Sequence, residues 1–198
     1  MKRWHRFAIA VAIAALVPAA GGATYAAFRA TSSNDGNRIE AGSVKLSDNG
    51  DGTALVSLAG AVPGDTTSAC VKVTYDGTLA ATVRLHGTTT GSGLDQYLDL
   101  KVTRGTYSPS TPAYKSCTNF QPDGTDYIGS GNGVVYDGTL QGFPDDYASG
   151  LVDPTSGSPE SWSTGEVHAY RIDVTLQQNF AAQGENAAQV FRWEARNQ

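Results

Sequence analysis

Five stretches of the chain alternate apolar and polar residues with a period of two. In residues 70–75, Val71, Val73 and Tyr75 alternate with Cys70, Lys72 and Thr74. In residues 82–86, Val83 and Leu85 alternate with Thr82, Arg84 and His86. Leu98, Leu100 and Val102 alternate with Asp99, Lys101 and Thr103. Tyr170, Ile172, Val174 and Leu176 alternate with Arg171, Asp173, Thr175 and Gln177. Near the C-terminus, Phe191 and Trp193 alternate with Val190, Arg192 and Glu194. A strand turns successive side chains to opposite faces, so this pattern predicts antiparallel strands with one face on a core and one in water. Residues 43–47 and 53–58 predict two more strands.

The punctuation agrees. Asp48-Asn49-Gly50-Asp51-Gly52 reads as a hairpin turn, because Asn-Gly and Asp-Gly supply the positive φ of tight turns. Pro63-Gly64-Asp65 breaks the chain before the strand at Cys70, and Asp76-Gly77 ends that strand. About seven short strands with such turns predict an all-β, jelly-roll-like antiparallel β-sandwich. Residues 107–164 break the pattern. They are rich in Gly, Ser, Pro, Asp and aromatics, and read as a long irregular insertion with a short helical turn near residues 144–148. A loop of that length inside a compact domain is often functional. Tyr-Asp-Gly-Thr-Leu occurs at 75–79 and again at 136–140 with unlike flanks, which favours a reused turn over a duplication.

The N-terminus follows a different grammar. Lys2, Arg3 and Arg6 precede an unbroken apolar stretch, Phe7 to Val17, and small or turn-forming residues run from Pro18 to Ala23. This predicts a secretory signal peptide over residues 1–27, with cuts possible after Ala23, Ala26 or Ala27. The apolar stretch is shorter than the ~20 residues that span a bilayer, so no stable membrane span is expected after cleavage. An uncleaved anchor is the competing reading. The expected product is secreted, extracellular or at the cell surface. It would comprise an N-terminal arm over residues 28–42 and a sandwich domain over residues 43–198.

The 198-residue chain carries 14 basic and 19 acidic residues. The leader holds Lys2, Arg3 and Arg6 and no acid, so the exported part has 11 basic residues and a net charge near −8. Nucleic acid is therefore not an expected partner, since binding a polyanion needs Lys and Arg to replace released counterions. Export also sets the redox context. Cys70 and Cys117 are expected to form a disulfide, with free buried thiols as the alternative. A loop of that length would gain about 4 kcal/mol on chain-entropy grounds. Cys70 shares the polar face of its strand with Lys72 and Thr74, so the bridge would pin a surface loop to the sheet edge.

Candidate catalytic chemistry is sparse. After the leader only His86 and His168 remain, in separate strands, and no His-Glu-x-x-His occurs. Neither a Gly-x-Ser-x-Gly elbow nor a phosphate-cradling Gly loop with Lys is present. Asp48–Asp51 lacks the alternate acids and distal Glu of a calcium loop. Asp145, Asp146 and Asp153 read as solvated loop acids before they read as a calcium site. No catalytic residue, metal ligand or cofactor is assigned. Tyr127, Tyr147 and Trp162 leave two readings open, a sugar-stacking platform or a small core under the insertion, and the core is favoured.

Several short motifs fall in a characteristic order. Gly21-Gly22-Ala23-Thr24-Tyr25-Ala26-Ala27-Phe28 ends the leader; Ile39-Glu40-Ala41-Gly42-Ser43-Val44-Lys45-Leu46-Ser47 follows; then come Val62-Pro63-Gly64-Asp65 and a closing Phe191-Arg192-Trp193-Glu194-Ala195. Together they resemble the TasA/camelysin family of bacterial exported proteins, across both ends and the first third of the chain. The resemblance implies a jelly roll, a dedicated signal peptidase of the SipW type cutting between Ala27 and Phe28, and self-association into matrix fibres. In such fibres an N-terminal arm, here Phe28 to Ile39, completes the sheet of a neighbour. A disordered tail is the competing reading of that arm. The family also carries a metallopeptidase label through camelysin, which no zinc pattern in this sequence supports. A monomeric glycan- or partner-binding module is a further reading.

Overall fold

Each of the five alternating stretches forms a strand, longer than its apolar pattern. A computed structural model describes residues 29–33, 46–50, 55–56, 60–152, 154–155 and 158–197. Two short edge strands come first, β1 (Arg29–Ser33) and β2 (Leu46–Asp48). The long strands β3 (Thr66–Tyr75), β4 (Ala81–Gly91) and β5 (Leu98–Tyr107) follow. The loop-rich stretch then contributes β6 (Phe120–Pro122), β7 (Val134–Thr139), β8 (Leu151–Val152), β9 (Pro154–Thr155), β10 (Ser158–Pro159) and β11 (Ser161–Trp162). The chain closes with β12 (Glu166–Leu176) and β13 (Ala187–Asn197).

Two antiparallel sheets carry the domain. One runs β1-β13-β4-β11, and the other β2-β3-β12-β5-β6, with β7 also on β5. The pairs β1·β13, β3·β12, β4·β11 and β5·β7 nest inside one another along the chain, first strand with last, which is the wrapped hairpin of a jelly roll. The expected all-β sandwich is therefore the observed one. β7 and β11, which pair with β5 and β4, complete the nested set. They lie inside residues 107–164, where weak alternation gives no warning of them.

The core follows from period two. Val71, Val73 and Tyr75 of β3, Tyr170, Ile172 and Val174 of β12, and Leu98, Leu100 and Val102 of β5 face Val83 and Leu85 of β4 and Phe191, Trp193 and Ala195 of β13. Phe143 bridges the layers, its ring 5.5 Å from Phe191 and 5.2 Å from Tyr136.

Local details differ from expectation near the start. Of the strand expected at 53–58, the two described residues, Leu55 and Val56, lie in a bend and in irregular chain, with Leu55 buried in the core. Asp48 Oδ1 accepts the Gly50 N–H, as in a turn, and Asn49 Oδ1 accepts the Lys72 N–H, so the turn is fastened to β3. No helical turn forms at the expected residues 144–148, where 147–149 make a hydrogen-bonded turn; a 3₁₀ turn lies earlier, at Leu140–Gly142. The leader, its expected cut between Ala27 and Phe28, and Ile39 lie outside the described residues.

Candidate functional site

β1 is the outermost strand of its sheet. Its five residues pair with β13 from Arg29 opposite Arg196 to Ser33 opposite Arg192. The next strand in sequence, β2, pairs with β3 in the other sheet. β1 thus reaches the body through residues 34–45 and its own ladder. A strand at a sheet edge satisfies the main-chain groups of its neighbour without needing a particular sequence. That is the geometry by which a segment as polar as Arg-Ala-Thr-Ser-Ser can belong to a sheet at all.

Cys70 and Cys117 form the disulfide, with Cα atoms 5.1 Å apart. Beside it Cys70 and Lys115 exchange two main-chain hydrogen bonds of 3.2 Å. The loop between β5 and β6 is thereby stitched to β3 both covalently and by hydrogen bonds, and Cys70 is fully buried although it lies on the polar face of its strand. The bridge pins a loop, as its sequence position implies. A disulfide suits an oxidising compartment. Among the described residues, no helix is long and apolar enough to cross a membrane.

A charged cluster sits between the sheets at one end. Alternation along β5 continues past Leu98, Leu100 and Val102 to Arg104, so the inward register delivers a guanidinium into the sandwich. On β12 the same register delivers His168, and Glu166 precedes it by one strand period. Trp162 of β11 lays its ring against His168, centroids 4.4 Å apart, and is itself fully buried. Gly133 shapes the floor: its φ is +74°, its carbonyl accepts the Arg104 N–H at 2.7 Å, and a Cβ there would lie 2.4 Å from the Arg104 carbonyl oxygen.

Arg104 Nη2 lies 2.7 Å from Glu160 Oε2, and Nε lies 3.2 Å from Asp123 Oδ2, a carboxylate that also accepts the Tyr127 hydroxyl at 2.9 Å. Arg104 Nε and Nη2 also approach His168 Nδ1 at 3.2 and 3.1 Å. Arg104 Nη2 lies 3.3 Å from His168 Nε2 as well, and that nitrogen faces Glu166 Oε1 at 2.9 Å, so the ring sits between the guanidinium and the carboxylate. Burial pushes the Glu166 carboxyl up, but hydrogen bonds from the Ser163 N–H and from His168, with the field of His168, pull further and leave it below its ordinary value.

Glu160, Glu166 and His168 offer ligand atoms within 4.8 Å of one another. This donor set does not fit the metal that a metallopeptidase would carry. A metal on His168 Nε2 would require the proton on Nδ1, aimed at the N–H groups of Arg104, whereas metal-bound imidazoles give that proton to an acceptor. The guanidinium already supplies the positive charge the carboxylates need. His86 belongs to a different place, the outer face of the β4–β13 sheet, so the two histidines do not meet.

Other expected positions resolve simply. Trp162 is a core residue, and Tyr127 packs against the core from the side. Tyr147 lies between two cations, 3.8 Å from the Arg196 guanidinium and 5.1 Å from that of Arg84. Asp145 and Asp146 are exposed. The Ser149 N–H and hydroxyl hold the Asp146 carboxyl below its ordinary value. Asp153 lies outside the described residues. The Arg104 cluster is absent from the sequence reading. Its one signal was the apolar register of β5 running onto a charged residue.

Fold and cross-link together define a disulfide-bridged antiparallel β-sandwich. No protein-family model matches the chain, and no curated protein matches it.

Proposed function

We propose that the protein is an exported structural subunit that joins copies of itself by strand addition, a TasA-like component of a fibre, biofilm matrix or cell surface. The observation that carries this reading is the place of β1: first of the described strands, outermost in its sheet, and held by main-chain pairing to β13. The same ladder forms in trans when the β1 segment of one copy lies against β13 of the next, at little cost because the bonds exchanged are identical. Removal by a SipW-type signal peptidase between Ala27 and Phe28 would place the new terminus one residue before that strand.

The surface supports a head-to-tail arrangement. Val62 and Phe180, the latter 89% exposed, flank the junction where β3 begins and β12 ends. Exposed Leu79 and Val167 lie at the opposite end, where β3 finishes and β12 begins. Unlike apolar surfaces at opposite ends make heterologous contacts, which build open filaments unless the rotation closes. Mature chain beginning at Phe28 should form filaments in negative-stain micrographs and high-mass species in light scattering. A chain beginning at Asn34 should stay monomeric, and a peptide of residues 28–42 should bind it. Persistent monomers of the Phe28 form across concentration, pH and ionic strength would overturn the proposal.

A further inference from the structure

The outer face of the β4–β13 sheet carries a second charged site. Arg84, His86 and Thr88 of β4 and Arg192, Glu194 and Arg196 of β13 alternate onto that face, with Arg192 opposite His86 and Glu194 opposite Arg84. The chain after Leu140–Gly142 folds over them: Gly87 donates its N–H to the Pro144 carbonyl at 2.9 Å, and Arg84 Nη1 donates to the Ala148 carbonyl at 2.7 Å. Glu194 is fully buried beneath this cover, Oε1 2.7 Å from Arg196 Nε and Oε2 3.3 Å from His86 Nε2.

At the edge of the cover lies an open recess of about 350 Å³, lined by His86, Thr88, Asp145, Asp146, Arg192 and Arg196 among others. Three buried nitrogens on this face have no hydrogen-bond partner among the described residues, Arg84 Nε, His86 Nδ1 and Arg192 Nε, and the last two belong to residues that line the recess. His86 is only 6% exposed. Buried polar atoms ordinarily find partners, so such a pair beside a recess marks groups kept for a ligand. Their chemistry differs. Arg192 is a cation that donates, and no ion pair engages it among the described residues. His86 Nε2 faces Glu194 Oε2 at 3.3 Å, so Nδ1 is the ring nitrogen left to exchange a hydrogen bond with a hydroxyl, a group that both donates and accepts.

We propose that this recess binds an acidic sugar, a uronate unit of an anionic polysaccharide. Its carboxylate meets Arg192 through the planar fork that suits that group. A ring hydroxyl hydrogen-bonds with His86 Nδ1. Further hydroxyls reach Thr88 and the exposed carboxylate of Asp145. The volume suits one ring, and the open side lets a polymer continue past it. The net negative charge of the chain does not oppose this, because one unit is held by local contacts rather than by release of many counterions.

The test is titration of the intact purified protein, followed by NMR and calorimetry, with sodium glucuronate, glucose, acetate and a polyglucuronate. Glucuronate and the polymer should bind, with glucose and acetate at least about tenfold weaker, a gap of about 1.4 kcal/mol. Tighter binding of the polymer than of the free sugar identifies the polysaccharide as the source, whereas equal binding identifies the free sugar and overturns the polymer assignment. Arg192→Met should weaken glucuronate at least about tenfold while leaving the urea midpoint unchanged, since no ion pair engages Arg192 among the described residues. Asp145→Asn should weaken glucuronate and leave acetate unaffected. Acetate binding as tightly as glucuronate, no binding of glucuronate, or equal affinity in Arg192→Met would each overturn the proposal.

Discussion

Replacing Trp162 by alanine tests whether the loop-rich stretch between β5 and β12 is part of the core or a surface platform. The indole is fully buried and packs tilted against His168, and the Trp162 backbone pairs with Ala81 of β4. Truncating a buried Trp removes its transfer free energy and leaves a cavity, together about 3–5 kcal/mol. His168 also loses the wall it packs against, which loosens the Arg104 cluster behind it. With a urea slope of about 2 kcal/mol per molar, the midpoint should fall by about 1.5–2.5 M. The thermal midpoint should drop by about 6–20 °C, at 2–4 °C for each kcal/mol. Trp162→Phe keeps an aromatic wall and should lose less. Urea unfolding followed by fluorescence and by circular dichroism, with coincident transitions, measures the effect. A midpoint loss below about 0.5 M with an unchanged slope would refute the reasoning, because a ring on the surface costs little to remove.

Other consequences follow from the same contacts. Replacing Cys70 and Cys117 by alanine, or reducing the wild type, opens a loop with a sequence separation of 47 and should lower stability by about 4 kcal/mol in urea titrations. A loss below about 1 kcal/mol would show that the Cys70–Lys115 hydrogen bonds suffice. Arg104→Met strands Glu160 and Asp123 without their cation and should cost about 3–5 kcal/mol near neutral pH, with partial recovery in mild acid as the carboxylates protonate. Glu166 is held below its ordinary value of 4.5, so the unfolded chain binds its proton at a higher pH than the folded one does. Its stabilising contribution is therefore present above that ordinary value and lost as pH falls through the lowered folded value. Glu166→Gln should lower stability most above that value, and its difference from wild type should shrink on acidification. A difference that grows in acid would contradict the hydrogen-bond assignment.

Period-two alternation was enough to place β3, β4, β5, β12 and β13 and to assign their inward faces, because a half-buried strand writes its environment into every second residue. The Asn-Gly turn, the Pro63-Gly64-Asp65 break and the pairing of the two cysteines were equally local signals. They reflect backbone conformation and redox context, which one segment or one pair decides. β1, β7 and β11 were not legible. Each is short, and each is a strand because a longer neighbour offers it a ladder. Arg29–Ser33 has no apolar pattern and is extended only against β13. The charged sites were further from reach. Arg104, Asp123, Glu160, Glu166 and His168 are scattered along the chain, and only the nesting of the sheets brings the guanidinium among the carboxylates. His86, Arg192 and Glu194 look like an ordinary solvated face in sequence. Burial of that face depends on residues 143–150 folding over it. Sequence alone thus fixes which faces are apolar, since that is a property of neighbouring residues. Tertiary structure alone decides which polar groups are buried together, since that depends on what comes to lie on top of them.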